Sequence, residues 1–278
     1  MLKKRVITSL WGIPLLFAAI WFEQPLPWFT LIIGLWGILA VYEYYRLTAG
    51  ASIRTSSYLG IFLTLLFIIS RDGDLISALA PYLDYKIVLF VPLVLTLVLP
   101  AVRILMRSGE KDKTAVWVWT VLGAIYLGWL LSHLVALRGL VDGRNWVLFT
   151  LFVIIASDSA AFFIGSAFGK HKMAPDISPS KTWEGAAGGL VGAVLVSLLF
   201  TLQSSLMVPI GWGVAIALGL VTSVFGQVGD LVESAFKRRM GVKDSGDKVP
   251  GHGGFLDRLD ALLFGGAAVY YFVVVIVQ

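Results

Sequence analysis

The side chains able to do chemistry fall mainly in two polar segments that interrupt an otherwise apolar chain. The denser one runs from Asp230 to Asp260. Asp230, Glu233 and Ser234 close an apolar run, and on a helix Asp230 and Ser234, four apart, share a face. Lys237-Arg238-Arg239, Lys243-Asp244, Pro250-Gly251-His252-Gly253-Gly254 and Asp257-Arg258-Leu259-Asp260 follow. Asp257 and Asp260, three apart, are expected on one face at the start of the next helix. Carboxylates from two adjacent helices can meet and hold a magnesium ion through oxygen ligands. The glycines permit tight turns and close backbone approach to a ligand. A basic loop with Asp257 as an N-terminal helix charge would account for scattered charges. It gives no reason for acid and base to interleave, whereas metal-bridged polyphosphate chemistry does. His252 can bind phosphate, protonate a leaving group or simply sit in a turn.

The other segment is Gly169–Gly185. It carries Lys170, Lys172 and Lys181, hydroxyls at Ser178, Ser180 and Thr182, and two prolines. Pro179-Ser180-Lys181-Thr182 leads straight into an apolar run. Backbone amides at a helix N-terminus, with a hydroxyl and a lysine, suit a phosphate. A basic loop ending in a Ser/Thr cap is the equally weighted alternative.

The elements that position these segments are membrane helices. The 278 residues are 58% hydrophobic and 14% charged, whereas soluble domains are about a quarter charged. There are no cysteines, which excludes disulfides, thiolate zinc sites and cysteine nucleophiles. With three histidines, His133, His171 and His252, a multi-histidine metal centre is not expected. The net charge of +5 lies between apolar runs, so anionic lipid headgroups explain it and nucleic acid is not an expected partner.

A spanning helix needs roughly 20 apolar residues. Candidate spans are 6–22, 28–47, 57–70, 86–105, 114–137, 146–168, 182–202, 208–236 and 256–277. The expected fold is therefore an all-α, polytopic bundle of about nine transmembrane helices. Span 57–70 is short, and either extends through 75–83 or is re-entrant. With the N-terminus inside, only Arg71, Lys86, Arg138 and Arg144 of the 22 Lys and Arg fall outside, as the positive-inside rule requires. Both polar segments then face the cytoplasm. The Gly/Ala-rich run Gly185–Ala193 suits close helix packing in lipid. Carboxylates within the spans, Glu43, Asp158, Glu184, Asp230, Glu233 and Asp260, are functional candidates by default. Glu43, near Arg46 at a helix end, reads as a structural pair or a snorkelling group.

Ser234-Ala235-Phe236-Lys237-Arg238, Lys243-Asp244-Ser245-Gly246 and Val249-Pro250-Gly251-His252-Gly253-Gly254-Phe255-Leu256-Asp257-Arg258-Leu259-Asp260, at this fixed spacing, resemble the phosphatidate cytidylyltransferase signature over its whole length. Asp158-Ser159, Gly169-Lys170-His171-Lys172, Ser178-Pro179, Lys181-Thr182 and Glu184-Gly185 are similar to a second stretch of that family. Phe162 departs from the tyrosine found in many members. The resemblance covers roughly 150–270. It divides the chain into N-terminal helices, 1–145, and a catalytic region with cytoplasmic loops, 146–278, within one integral membrane unit.

The resemblance implies CTP and phosphatidic acid as substrates and Mg2+ as cofactor, with a second cation left open. Membrane lipids are the surrounding partners, and a homodimer is left open. It implies metal ligation by Asp230 and Asp257, with Asp260 and Glu233 next. Lys237, Arg238, Lys243, His252 and Arg258 would handle phosphates, as the catalytic set. Lys170, Lys172, Ser178, Lys181, Thr182 and Ser234 would contact substrate. Asp158 and Glu184 would orient these bases or complete the cation site. The location implied is the inner (plasma) membrane, multi-pass, with the site facing the cytoplasm. A CTP-dependent kinase or cytidylyltransferase for another lipid, and a carboxylate-dependent transporter, are the alternatives.

Overall fold

The computed structural model describes residues 14–22, 26–48, 53–82, 84–106, 113–202, 207–246 and 253–278. The described chain is almost wholly helical and forms two compact units. One takes its residues from Met1–Gly139 and Asp244–Asp257, the other from Leu140–Lys243 and Arg258–Gln278.

In the first unit, residues 14–21 are helical. Then come α1 (Trp28–Thr48), α2 (Ile53–Ile69), the short α3 (Gly73–Leu79) and α4 (Tyr85–Met106). The last helix, α5, runs through Lys113–Gly123, a π-helical stretch Ala124–Trp129 and Leu130–Arg138. Phe29, Ile33, Val41, Leu63, Phe67, Leu127 and Leu131 form the interior. Tyr45 donates its hydroxyl to the Thr120 carbonyl at 2.8 Å and Tyr44 to that of Trp119 at 3.2 Å. Side chains that engage a helix's carbonyl ladder in this way loosen its regular pairing, and the π stretch begins one turn further on. Asp72 ends the α2 segment and caps α3, its carboxylate accepting from Leu75 N–H at 3.0 Å.

In the second unit, α6 (Gly143–Phe168) is followed by an antiparallel hairpin, β1 (Lys172–Ala174) and β2 (Ser178–Thr182). Next are α7 (Trp183–Leu199) and α8 (Trp212–Arg239). A 3-10 turn, Leu256–Arg258, spans the junction of the two units and leads into α9 (Asp260–Phe272), which ends in a π stretch, Val273–Val277. The Gly/Ala run of α7 packs tightly on α6. A Cβ on Gly188 would lie 2.6 Å from Ile164 Cβ, and one on Gly192 2.6 Å from Ala160 Cβ. Small residues let the backbones approach to that distance, which dispersion forces reward in lipid.

Six helices among the described residues are long and apolar enough to cross a membrane: Trp28–Thr48, Tyr85–Val102, Ala115–Arg138, Gly143–Phe168, Trp212–Arg239 and Asp260–Val277. Ser57–Ile69 and Trp183–Leu199 are apolar but shorter. The protein is thus an all-α, multi-pass membrane protein; six of the nine expected crossings are of full length among the described residues. Of the first expected span, 6–22, residues 6–13 lie outside the described residues. The 57–70 span does not extend through 75–83, because Asp72 starts a new helix. The 182–202 span is 17 residues of helix, about 25 Å at 1.5 Å per residue. Large apolar side chains such as Phe152, Ile155, Phe163, Leu195 and Val275 are exposed, as lipid contact allows.

Candidate active site

Four features of the second unit bring acidic and basic groups together at one end of its helices. Ser157 on α6 and Ser223 on α8 share a hydrogen bond of 2.7 Å. Gln227, one turn along α8, donates to Ser223 Oγ at 3.0 Å and to the Ala186 carbonyl of α7 at 3.3 Å. Gly229 has no side chain and lies directly against the Asp260 backbone carbonyl, so a Cβ there would overlap it. Thr182 caps α7, its hydroxyl accepting from Gly185 N–H at 3.1 Å, which fixes where β2 stops and the helix starts.

The carboxylates of Asp158 (α6), Asp230 (α8) and Asp260 (start of α9) are consequently close enough to repel one another. Two lysines act on them. Lys181, from β2, places Nζ 2.7 Å from Asp230 Oδ2 and also attracts Asp158. Lys237 attracts Asp260 and pairs with the fully buried Glu233 at 3.1 Å, one turn back on α8. Ser234 donates to Asp230 Oδ1 at 3.3 Å, so the shared face expected from their spacing is present. Basic side chains at 237–239 end α8, where they complement its dipole.

The remaining expected residues are placed as follows. Arg238 donates Nε to the Ile177 carbonyl at 3.1 Å and Nη1 to the Val242 carbonyl at 3.4 Å, tying the hairpin to the end of α8. Glu184 Oε1 lies 2.6 Å from His171 Nδ1, and Glu184 Oε2 accepts from the His171 backbone N–H at 3.2 Å. Lys170, Lys172, Lys243 and Arg258 are exposed, and Ser178 opens β2 half-buried. Phe162 is exposed on α6 and meets Phe163 edge-on at 5.6 Å. His252 lies outside the described residues.

Three expectations change. The Gly169–Gly185 segment is not a simple loop but a two-stranded hairpin, closed at its base by the Trp183 N–H to His171 carbonyl bond of 3.0 Å. Asp257 does not share a helical face with Asp260. It lies in the 3-10 turn, buried in the first unit, where Ser245 N–H and Gly254 N–H donate to its Oδ2 at 3.0 and 2.8 Å. Glu43 neither snorkels nor pairs with Arg46. It is wholly buried and accepts from the Ser245 hydroxyl and the Leu256 N–H. Sequence reasoning quoted His171 without giving it a role and passed over the Ser157–Ser223–Gln227 link. Their positions beside Asp158 and Glu184 were the available signal.

A cytidylyltransferase family model matches residues 3–276. The chain belongs to the cytidylyltransferase family. Among its relatives, it is 35% identical to the phosphatidate cytidylyltransferase of Bacillus subtilis (strain 168) over 272 residues, 97% of each chain. It is 44% identical over 155 residues to that of Brucella suis biovar 1, covering 55% of this chain and 56% of the relative. With that of Staphylococcus epidermidis it shares 46% identity over 123 residues, 44% of this chain and 46% of the relative. Family membership makes the chain a nucleotidyltransferase.

Proposed function

We propose that this protein is a phosphatidate cytidylyltransferase, acting at the cytoplasmic face of the inner (plasma) membrane. A phosphate oxygen of phosphatidic acid bonds to the α-phosphorus of CTP. The bond from that phosphorus to the bridging oxygen breaks, and pyrophosphate leaves with the electron pair. The products are CDP-diacylglycerol and pyrophosphate. The attacking group is already an anion, so no strong general base is needed. The difficulty is bringing two anions together and stabilising the leaving group.

The observation that carries this reading is the acid–base cluster of Asp158, Asp230 and Asp260 with Lys181 and Lys237. It is rich in oxygen donors, and the same unit carries exposed cations at Lys170, Lys172, Lys243 and Arg258. Among the described residues, no three Asp, Glu or His side chains form a ready-made metal cage. That fits Mg2+, which takes one or two carboxylates and completes its octahedron with water and substrate phosphates. When bound, Mg2+ supplies Lewis-acid neutralisation of developing phosphate charge. Asp230 and Asp260 are the proposed ligands in this unit, with Asp158 beside them. Asp257 keeps the ligand role the family resemblance implies. Lys181 holds Asp230 in place, Ser234 steadies its other oxygen, and Arg238 fixes the hairpin. Lys243 and Arg258 are free to meet CTP phosphates, and Lys170 and Lys172 the lipid headgroup. The cytoplasmic orientation rests on the distribution of Lys and Arg along the chain.

The test uses CTP labelled at the α- or γ-phosphate, purified protein and a panel of lipid phosphates and alcohols. Label from the α-position is expected in lipid with phosphatidic acid, and γ-label in soluble pyrophosphate. Transfer of γ-label to a lipid alcohol would make the protein a kinase. No lipid labelling by active-purified protein in detergent would favour transport.

A further inference from the structure

Glu43 has no part in the chemistry above, yet it is fully enclosed and reaches the signature segment from a distant helix. Its Oε2 accepts from the Ser245 hydroxyl at 3.0 Å and from Leu256 N–H at 3.1 Å. These two contacts grip both ends of the stretch that leads to Asp257. The Asp257 carboxylate depends on the same ends. Its Oδ2 accepts from Ser245 N–H at 3.0 Å, from the Ser245 hydroxyl at 3.1 Å and from Gly254 N–H at 2.8 Å. Ser245 has one hydroxyl hydrogen, so it donates to one carboxylate at a time, standing 3.0 Å from Glu43 Oε2 and 3.1 Å from Asp257 Oδ2.

Three glycines give the pair its room. A Cβ on Gly254 would land on the Ser245 hydroxyl and the Glu43 carboxylate. One on Gly246 would come within 2.9 Å of Glu43 Oε1, and one on Gly253, at φ +82°, within 2.6 Å of Asp257 Oδ2. Among the described residues, no hydrogen-bond partner meets the buried Glu43 Oε1. Burying a carboxylate carries a desolvation cost that its partners must offset, and both bonds that Glu43 accepts come from the segment beside Asp257.

We infer that Glu43 is a positioning residue: by fixing Ser245 and Leu256 it sets the orientation of the Asp257 carboxylate. This rests on the functional reading of Asp257 proposed above. Glu43 touches neither substrate nor cation in this scheme and acts through Asp257.

The experiment uses the full chain in lipid nanodiscs, with Glu43→Ala, Glu43→Gln, Asp257→Asn and the double variant Glu43→Ala/Asp257→Asn. Two readouts are taken: kcat and KM for CTP, and amide hydrogen exchange. Glu43→Ala is expected to lower kcat about tenfold or more while KM for CTP stays within about threefold. Exchange at Ser245, Gly254 and Leu256 should quicken, with the amides of α2 unchanged. Glu43→Gln keeps one acceptor oxygen and should recover part of both effects. The double variant should be no slower than Asp257→Asn, because the two residues act in series. Unchanged exchange at 244–257, exchange rising equally throughout the chain, or losses that multiply in the double variant would each overturn the inference. Wild-type kcat in Asp257→Asn would instead sink the functional reading of Asp257, and is told apart because Glu43→Ala would still quicken exchange.

Discussion

Replacing Lys181 by methionine isolates the electrostatic role of the cluster, since it keeps the length of the side chain and removes the charge. Lys181 Nζ lies 2.7 Å from Asp230 Oδ2, with the side chains 22% and 36% exposed. The gross attraction at that distance is ~6 kcal/mol for an effective dielectric constant near 20. Solvent contact and the ordering of the lysine oppose it. The net effect lies between an exposed pair, ~0.2–1 kcal/mol, and the ~3–5 kcal/mol cost of orphaning a buried partner. A value of about 1–3 kcal/mol follows, and it is raised toward the upper end because Asp230 would then face Asp158 and Asp260 uncompensated. If this appears fully in the transition state, kcat/KM falls ~5- to 150-fold. Initial rates of label transfer from CTP to phosphatidic acid measure it. Lys181→Arg, which keeps the charge, should lose less. Should Lys181→Met remain within twofold of wild type in both kcat and KM, the electrostatic argument for the cluster is wrong.

Lys243→Ala should chiefly raise KM for CTP, with a smaller change in kcat, because an exposed lysine makes similar contacts in the ground and transition states; steady-state kinetics that show the reverse split would assign it a different role. Gly188→Ala should lower the Tm in detergent by an amount equivalent to ~1–3 kcal/mol, since its Cβ would lie 2.6 Å from Ile164 Cβ, whereas Gly213→Ala, with nothing within 4 Å, should be neutral or slightly stabilising. Asp244→Cys introduces a lone, exposed thiol into a cysteine-free chain; an impermeant maleimide should label it only from the cytoplasmic side, and periplasmic labelling would reverse the orientation.

Much of the second unit is legible in the sequence. Helical period alone puts Asp230 and Ser234 on one face, and they are 3.3 Å apart. Thr182 ahead of an apolar run is a cap signal, and it caps α7. A Gly/Ala run between bulky spans signals close packing, and α7 packs backbone-close on α6. The hairpin at 172–182 was less legible. Its base is closed by the Trp183 N–H to His171 carbonyl bond, and its strands show no alternation of apolar residues. The number of full-length crossings was also obscured, because hydropathy does not see that Asp72 caps a new helix or that α7 stops at Leu199.

By itself the sequence determined the solvent, the helical class and the family, because each depends on composition, period or a fixed run of residue types. It also named Asp230, Asp257 and Asp260 as acids of interest without saying which keep company. That was left to the tertiary structure. Asp257 and Asp260 are three residues apart, which predicts one face only if the helix is continuous between them. A 3-10 turn intervenes, and the Ser245 and Gly254 amides draw Asp257 into the first unit. Glu43 was misread for the same kind of reason. A carboxylate near a helix end looks solvent-seeking when its partners are unknown, and here they lie some two hundred residues on, at Ser245 and Leu256. Local spacing carries information about neighbours along one element. Which charges are buried together is decided by contacts between elements, and no local pattern encodes those.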